Sequence, residues 1–485
     1  MNKRTLVYIL GWVLFIEGVS MQFSTLVGLY YGESNFRFFL YTGLAAIVLG
    51  LIIIFHKPKR FEMARRDGFA ATALSWIVLS FVGAIPLCVS GQIPSYIDAV
   101  FESVSGFTTT GSTILVDIEA LDKCMLFWRS FSHFLGGMGV IVFLLALIPR
   151  LGGNAGINLM KAESTGPDVD KTMPRLRTYA LILYSIYGGL TVIEMILLRA
   201  GGMYWFDSIT SAFATAGTGG FANYNNSIGY FSTYANGYYL QGVISVFMML
   251  FGVNFYVYIL ILSRKLKNIL RLEELWLYLG IIVFATAAIA VNIYNIYQNA
   301  FDSVHQSFFY VSSILSSTGF AIDNTDKWPA LSKTLICVLT CIGACAGSTG
   351  GGFKVSRVLI LVKQARKEFR LIIHPRMVSN VTINRKKVNH TVTRNVSVYL
   401  IVYVSIIVLT TTLISLNGFD FTTNFTSVLA TLNNTGPGFS IVGSAGNYAQ
   451  FNVFSKIVFI FNMIAGRLEL YPLLIIFMPR AWKKN

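Results

Sequence analysis

Four threonine–glycine pairs are the residues of this sequence with the clearest capacity for chemistry. They are Thr110-Gly111, Thr218-Gly219, Thr318-Gly319 and Thr435-Gly436. Their glycines lie 108, 100 and 117 residues apart. Glycine permits backbone angles that turn successive carbonyl oxygens toward one point, and carbonyl oxygens can replace the hydration shell of a monovalent cation. The four pairs therefore indicate a cation-coordinating ring, to which the threonine hydroxyls could add oxygens.

A short apolar segment that begins near an acid precedes each pair. The acids are Asp98, Asp207, Asp302 and Asp420. A segment of about 10 residues forms roughly 15 Å of helix, which is half of a ~30 Å hydrocarbon core. We expect each segment to enter the membrane as a half-helix and to return as extended chain, because irregular backbone at that depth needs protein or a water-filled cavity beside it. The acids suit helix N-caps, and this role is compatible with an acidic outer vestibule that attracts cations.

A single Thr-Gly pair is most simply a helix C-cap. Four copies at matching positions between apolar spans form an internal repeat, which favours a shared function. Four returns around a pseudo-fourfold axis would line one pore, and the C-termini of the half-helices would direct partial negative charge to its centre.

The composition places these segments in a membrane. The chain of 485 residues is 54% hydrophobic and 12% charged, with a mean hydropathy of +0.62. Soluble domains have about 25% charged residues, and so much apolar and aromatic sequence excludes disorder. The apolar runs predict ten spans, at 6–31, 38–55, 68–89, 124–148, 178–198, 238–262, 275–297, 331–362, 395–416 and 452–478.

The charge distribution gives these spans an orientation. With the N-terminus inside, 30 of the 38 Lys and Arg fall on inside segments, as the positive-inside rule requires. This explains the net charge of +16 without nucleic acid and predicts that both termini are cytoplasmic. The inside stretch 363–394 carries nine Lys and Arg, which suit anionic lipid headgroups or a soluble partner.

The predicted span 331–362 is interrupted by a glycine-rich segment, GACAGSTGGGFK, from Gly343 to Lys354. Each glycine costs a helix about 1 kcal/mol relative to alanine, so a continuous helix is disfavoured. The segment is not a phosphate-binding loop, because Phe353 rather than lysine follows Gly352. A plain kink and a movable plug are the two interpretations. Arg467, in the last span, needs a partner or a cavity.

The motifs together resemble a known family. GFTTTGST, GTGGF, SSTGF and NNTGPGF, in order and with the glycine-rich segment, look like the Trk/Ktr/HKT superfamily of potassium transporters. The two extra N-terminal spans, together with SHFLGGMGV and AGRLELYPLL, are most similar to its TrkH-type membrane subunit. The resemblance covers essentially the whole chain.

The resemblance implies an all-α polytopic membrane protein. It would contain four helix–pore loop–helix repeats around a pseudo-fourfold axis and two extra N-terminal helices. The N-terminal hairpin would span 1–66, and the four repeats would span 67–175, 176–273, 274–390 and 391–485. The third repeat would include an intramembrane gating loop at 343–354. Glycines 111, 219, 319 and 436 and their preceding threonines would form the potassium selectivity filter. Pro437 and Gly220 would make the ring only approximately symmetric. The gate would contain Gly347, Gly350, Gly351, Gly352, Lys354 and Arg467.

The resemblance also implies an assembly and a location. The chain would be a homodimer in the bacterial inner membrane, regulated by a cytosolic ring of TrkA-type subunits that bind NAD or ATP. K⁺ would be the transported ion, and the chain would bind no cofactor. Its lack of a GxGxxG βαβ unit makes nucleotide sensing external.

Two other classes of function compete with a gated pore. A carrier coupled to H⁺ or Na⁺ usually has inverted repeats around a midplane site, whereas the unusual topology here has the same sense in all four units. An enzyme is disfavoured, because the five histidines are scattered and no nucleophilic triad or metal-ligand spacing occurs.

Overall fold

The computed structural model describes residues 3–56, 58, 64–139, 176–377 and 380–476. The described helices are α1 Lys3–Tyr31, α2 Phe36–Phe55, α3 Arg65–Val89, α4 Tyr96–Phe107, α5 Lys123–Gly137, α6 Leu176–Ala200, α7 Trp205–Ala216, α8 Gly237–Phe251, α9 Tyr256–Leu262, α10 Leu266–Ile269, α11 Glu273–Tyr297, α12 Ala300–Leu315, α13 Ala330–Ile342, α14 Val355–Ile373, α15 His390–Ile414, α16 Phe421–Leu432, α17 Val453–Arg467 and α18 Tyr471–Ile476. A hairpin of β1 (Thr382–Ile383) and β2 (Lys386–Lys387) joins α14 to α15.

Several of these helices have the length and composition of membrane spans. Six described helices are apolar enough to cross a bilayer, and the bent pair α8 and α9 adds a seventh. The predicted fold class, an all-helical multi-pass membrane protein, is confirmed. The prediction of cytoplasmic termini falls on residues 1–2 and 477–485, which lie outside the described residues.

One sequence of elements recurs four times after the N-terminal pair α1 and α2. A long helix (α3, α6, α11 or α15) leads to a short one (α4, α7, α12 or α16), an extended return and a third helix (α5, α8, α13 or α17). The short helices have 12, 12, 16 and 12 residues. They match the half-helices expected from the sequence, and below they are called pore helices 1 to 4.

The third helix of each unit is shorter than the sequence predicts. The four have 15, 15, 13 and 15 residues. The predicted span 238–262 is not one straight helix, because the chain bends by 96° between α8 and α9. The predicted span 452–478 breaks after Arg467, where Glu469 and Leu470 have positive φ. The chain also leaves the helix at 343–354, as expected. Of the predicted span 124–148, the part from 140 onward lies outside the described residues.

Two large apolar clusters hold the units together. One joins α1 and α2 to unit 1 and unit 4, around Trp76, Phe107, Trp128 and Phe459. The other joins unit 2 to unit 3, around Met248, Tyr278 and Phe309. Burial of these side chains fixes the neighbours of each pore helix and so positions the four returns.

Candidate functional site

The four returns share one backbone conformation. The second residue after each pore helix has positive φ, at Thr109, Thr218, Ser317 and Asn434. The next residue donates its N–H to a carbonyl five residues earlier, over 2.8–2.9 Å in every unit. This is the bond pattern of a helix C-cap, so the C-cap interpretation describes the local geometry of all four returns. A glycine with positive φ follows at positions 111, 220, 319 and 436.

The second unit departs from the predicted register by one residue. Gly220, at φ +78°, occupies the backbone position of Gly111 in the first unit. The predicted pair Thr218-Gly219 therefore corresponds to Thr109-Thr110. The physical reason is that α7 ends at Ala216, so that the left-handed residue is Thr218. The sequence GTGGF carries two adjacent glycines, and only the position of the helix end decides which of them takes the left-handed angle.

The four returns meet in a closed cycle. A Cβ added to Gly111 would lie 2.0 Å from the carbonyl oxygen of Gly219, and one added to Gly220 would lie 2.0 Å from that of Thr318. The corresponding distances are 1.8 Å from Gly319 to Thr435 and 2.7 Å from Gly436 to Thr110. Each glycine thus faces the equivalent residue of the next unit. Only a residue without a side chain fits, and each segment holds its neighbour.

All four glycines line a single cavity of about 80 Å³, which Arg129 also borders. The threonine hydroxyls mostly face other groups. Thr110 Oγ1 bonds Thr108 and Asn434, and Thr318 Oγ1 bonds Ser316. Thr218 donates to the carbonyl of Gly217. The main-chain carbonyls are therefore the better candidates for cation ligands than the hydroxyls.

The carbonyl of the fourth glycine accepts hydrogen bonds from two side chains. Both Ser112 and Tyr448 donate hydrogen bonds to the Gly436 carbonyl, over 3.2 and 3.0 Å. Pro437, beside it, would lie 2.7 Å from a Cβ at Gly319. These contacts in unit 4 would add to the inequality of the subsites that Pro437 and Gly220 predict.

The acids at the starts of the pore helices have individual partners. Only Asp420 is an N-cap; it accepts the N–H of Thr423 over 3.2 Å. Asp98 bonds Lys456 over 2.7 Å, and Asp207 accepts from Asn223 and Tyr224. Asp302 accepts from Tyr238 and Asn299. The shared N-cap role expected from the sequence therefore holds for one unit only.

A buried ion pair behind the first return was missed at the sequence level. Arg129 Nε lies 2.8 Å from Glu102 Oε1, and their side chains are 2% and 0% exposed. Glu102 also accepts from Thr113 and from the N–H of Ile114, beyond the first glycine. Arg129 stacks on the Phe221 ring at 4.0 Å and donates to the carbonyl of Ala222. The pair thereby joins returns 1 and 2. The signal was present, since charges within apolar segments require a partner.

His133 supports the same two returns. One ring nitrogen bonds the Gly106 carbonyl over 2.7 Å, and the other accepts the N–H of Phe221 over 3.2 Å. A Cβ on Gly219 would lie 2.3 Å from this ring. The imidazole therefore fills the space that a threonine side chain takes in the other units, which explains why unit 2 has glycine there.

Substituting Glu102 tests whether the ion pair positions the returns. In Glu102→Gln, Arg129 stays buried without its counter-charge. Breaking such a pair typically costs about 3–5 kcal/mol. We expect a lower melting temperature of the purified protein and weaker discrimination between K⁺ and Na⁺ in flux assays.

Asp98→Asn is the matched control, because it breaks the more exposed pair with Lys456; its effect on melting should be clearly smaller. Equal melting temperatures and ion discrimination in wild type and Glu102→Gln would contradict the positioning role.

The glycine-rich segment lies against the ends of pore helices 3 and 4. The Gly351 N–H donates to Ser317 Oγ over 2.5 Å. A Cβ on Gly350 would lie 2.5 Å from the Ser316 carbonyl oxygen, and one on Gly351 would lie 2.4 Å from that of Asn433. The segment is therefore pressed against the C-terminal ends of these two pore helices.

The first half of the glycine-rich segment is hydrogen-bonded to the bend between α8 and α9 of unit 2. The Gly347 carbonyl accepts the N–H of Phe255, at the start of α9, over 3.0 Å. Cys345 donates to the Gly252 carbonyl over 3.1 Å, and Ala346 donates to Glu274 over 2.6 Å. At Gly352, φ is +83° and a Cβ would lie 2.8 Å from the Cα of Gly343. The close approach at Gly352 requires glycine, and the three hydrogen bonds join the segment to units 2 and 3.

Two cationic side chains donate hydrogen bonds to carbonyl groups of the glycine-rich segment. Arg467 donates to the carbonyls of Thr349, Gly136 and Gly137 over 2.7, 2.5 and 2.6 Å. It thus joins the glycine-rich segment to the end of α5. Lys354 is 1% exposed and bonds the Gly350 carbonyl. One positive charge, at Arg467, therefore contacts the segment from α17, and a second, at Lys354, is buried at the end of the segment itself.

Known proteins are similar to this chain over nearly its whole length. Residues 35–484 match the family TrkH, described as a cation transport protein. The chain is 35% identical over 490 residues to the Trk system potassium uptake protein TrkH of Salmonella typhimurium, with full coverage of both chains. It is 33% identical to the Trk system potassium uptake protein TrkG of Escherichia coli, over 99% of each chain. The crystal structure of the potassium transporter TrkH from Vibrio parahaemolyticus superposes with a TM-score of 0.88, at 31% identity and full coverage of both chains.

Proposed function

The chain belongs to the TrkH family of cation transport proteins, and we propose that it takes up potassium through a gated, channel-like pore in the bacterial inner membrane. The observation that carries the proposal is the closed cycle of returns, in which each glycine abuts the next unit and all four border one cavity. The relatives are named potassium uptake proteins, which gives the cation its identity.

The four returns act as the selectivity filter in this proposal. The ion loses water at the ring of main-chain carbonyls around Thr110, Gly219, Thr318 and Thr435 and the glycines that follow them. The C-terminal ends of the pore helices contribute partial negative charge, and Gly220 takes the place assigned to Gly219 from the sequence. One positive-φ glycine per segment provides few stacked carbonyl rings.

The glycine-rich segment acts as the gate. It presses on the ends of two pore helices, contains glycines 347, 350, 351 and 352, and is held by Lys354 and Arg467. Moving it away would open a path from the returns to the cytoplasm. A cytosolic TrkA-type ring that binds NAD or ATP would control this movement, and two copies of the chain would assemble as a homodimer.

Ion flux into liposomes that contain the purified protein tests this function. We expect K⁺ or Rb⁺ flux that follows the electrochemical gradient of that ion alone and that increases when a cytosolic regulatory subunit and its nucleotide are added. Flux that requires a gradient of H⁺ or Na⁺ would instead support the coupled carrier. A protein that moves no K⁺ under either condition would overturn the proposal.

The same preparation tests selectivity. Because each segment contributes a single filter glycine, we expect weaker rejection of Na⁺ than in channels whose TVGYG filters stack several carbonyl rings. The measurement is the ratio of K⁺ to Na⁺ flux under matched gradients, with a TVGYG channel in the same lipid as the reference. Equal or better rejection of Na⁺ would contradict this explanation of selectivity.

A further inference from the structure

A basic cavity lies outside the four returns, in and beside the stretch 363–394 that the bias of Lys and Arg assigns to the cytoplasmic side. Its volume is about 700 Å³, and α14, the β-hairpin and the start of α15 form its walls. This volume is within the range of small-molecule sites, about 300–1,000 Å³. Lys367 of α14, Lys387 of β2 and Arg394 of α15 border it, together with His390 and one acid, Glu368.

The walls of the cavity are fixed by specific contacts. Lys363 bonds Glu273 and the Thr382 carbonyl, which ties the hairpin to α14 and α11. Ser397 donates to Gln364 over 3.3 Å and so connects α15 to α14. Lys363 and Glu273 form a salt bridge. By contrast, Lys367, Lys387 and Arg394 form no salt bridge within the described part of the chain. Three cations from three elements therefore converge on one space with a single acid beside them.

Three cationic side chains around one cavity favour binding of an anion with several charged oxygens. Phosphate groups fit this requirement, because Lys and Arg donate charge-assisted hydrogen bonds to them. Amide and hydroxyl groups of Asn380, Asn389 and Thr393 also line the cavity and can bind the remaining oxygens of a headgroup.

The surroundings point to the membrane as the source of that phosphate. The apolar span of α15 begins at His390, so the cavity lies at the depth where lipid headgroups begin. Anionic lipids of the cytoplasmic leaflet carry their phosphates at this depth and attract Lys and Arg close to the membrane surface.

We propose that this cavity binds the phosphate headgroup of an anionic phospholipid from the cytoplasmic leaflet. The lipid would join α14, which follows the glycine-rich segment directly, to α15, the first helix of unit 4. Its binding would therefore act on the element that holds the end of the loop at Lys354.

Lipid retention by the full-length protein tests the proposal. The protein is purified in detergent and titrated with phosphatidylglycerol, or with phosphatidylcholine of the same acyl chains, and bound lipid is counted by native mass spectrometry. The wild type should bind phosphatidylglycerol at least tenfold more tightly than phosphatidylcholine. Lys367→Glu/Lys387→Glu/Arg394→Glu should bind phosphatidylglycerol at least tenfold more weakly than the wild type.

A matched control reverses three cations of the same stretch that do not line the cavity. Arg366→Glu/Arg376→Glu/Arg385→Glu changes the net charge equally and should stay within threefold of the wild type. Equal loss in both triple variants, or no loss in the cavity variant, would overturn the proposal. If the cavity triple variant does not fold, Lys387→Gln/Arg394→Gln replaces it, with the same direction of effect expected.

A separate titration distinguishes the two sources of phosphate. Inorganic pyrophosphate is added to the delipidated wild type, and thermal unfolding is followed. No stabilisation by pyrophosphate, together with tight phosphatidylglycerol binding, supports the lipid. Stabilisation by pyrophosphate that the cavity variant loses, without preference for phosphatidylglycerol, would overturn the lipid in favour of a soluble phosphate.

Discussion

Gly220→Ala is expected to reduce potassium uptake about a hundredfold or more. The alanine Cβ would lie 2.0 Å from the Thr318 carbonyl oxygen, at a φ of +78°. Left-handed backbone alone costs a residue with a side chain about 1–2 kcal/mol, and main-chain atoms of the neighbouring unit cannot rotate away as a side chain does. Each tenfold loss of rate corresponds to about 1.4 kcal/mol. We therefore expect backbone strain and steric overlap together to lower uptake by the stated factor. The measurement is Rb⁺ uptake by cells or liposomes at equal protein amounts.

Gly418→Ala is the matched control for backbone strain. Its φ is +76°, but no atom lies within 4 Å of an added Cβ, so uptake should remain within about threefold of the wild type. Normal uptake by Gly220→Ala would contradict the importance of the returns and the register assigned to unit 2.

A double variant separates the two glycines of unit 2. In Gly219→Ala the added Cβ meets the ring of His133, a side chain, at 2.3 Å. His133→Ser removes that ring, so Gly219→Ala/His133→Ser should take up more Rb⁺ than Gly219→Ala. The same second substitution should not rescue Gly220→Ala, since its clash is with the main chain of Thr318.

Arg467→Ala is expected to raise basal K⁺ or Rb⁺ flux about tenfold or more in the absence of a regulatory subunit. The guanidinium donates to three carbonyls of the glycine-rich segment and α5, and hydrogen bonds from a charged group contribute about 1.5–3 kcal/mol each. Their loss removes both a positive charge near the pore axis and the contacts that hold the segment in place. A shift of a few kcal/mol between closed and open states changes their ratio more than tenfold.

Arg199→Ala is a suitable control for this variant. Arg199 also donates to a carbonyl, that of Met203 over 3.0 Å, but it lies on the last turn of α6, away from the segment. Its flux should match the wild type. Unchanged flux in Arg467→Ala, with a normal melting temperature, would show that this arginine only braces the fold.

The sequence alone was sufficient for the class of fold and for the fourfold pattern. Three features of the sequence depend on local composition. They are the apolar runs of membrane-spanning length, the bias of Lys and Arg to one side, and the four short segments that end in glycine. Hydropathy, charge bias and repetition of this kind can be recognised in the sequence without knowledge of the tertiary structure. The break at 343–354 was equally visible, because its glycines weaken a helix wherever they occur.

The breaks in the other third helices were not visible in the sequence. The apolar run 238–262 contains only Gly242, Gly252 and Asn254 as residues that weaken a helix, yet it bends by 96°. The carbonyl and N–H groups freed by the bend bond the glycine-rich segment, at Cys345 and Gly347. That compensation comes from another unit, so no local pattern predicts it.

What the sequence by itself determined was which residues can form membrane spans, half-helices and glycine turns. The tertiary structure decided which glycine of unit 2 takes the left-handed angle, which acid caps a helix, and how Glu102, Arg129 and His133 support the returns. The physical reason is the range of the interactions. Hydropathy and backbone preference act within a few residues, whereas close packing of four returns and the pairing of buried charges join residues that are distant in the chain.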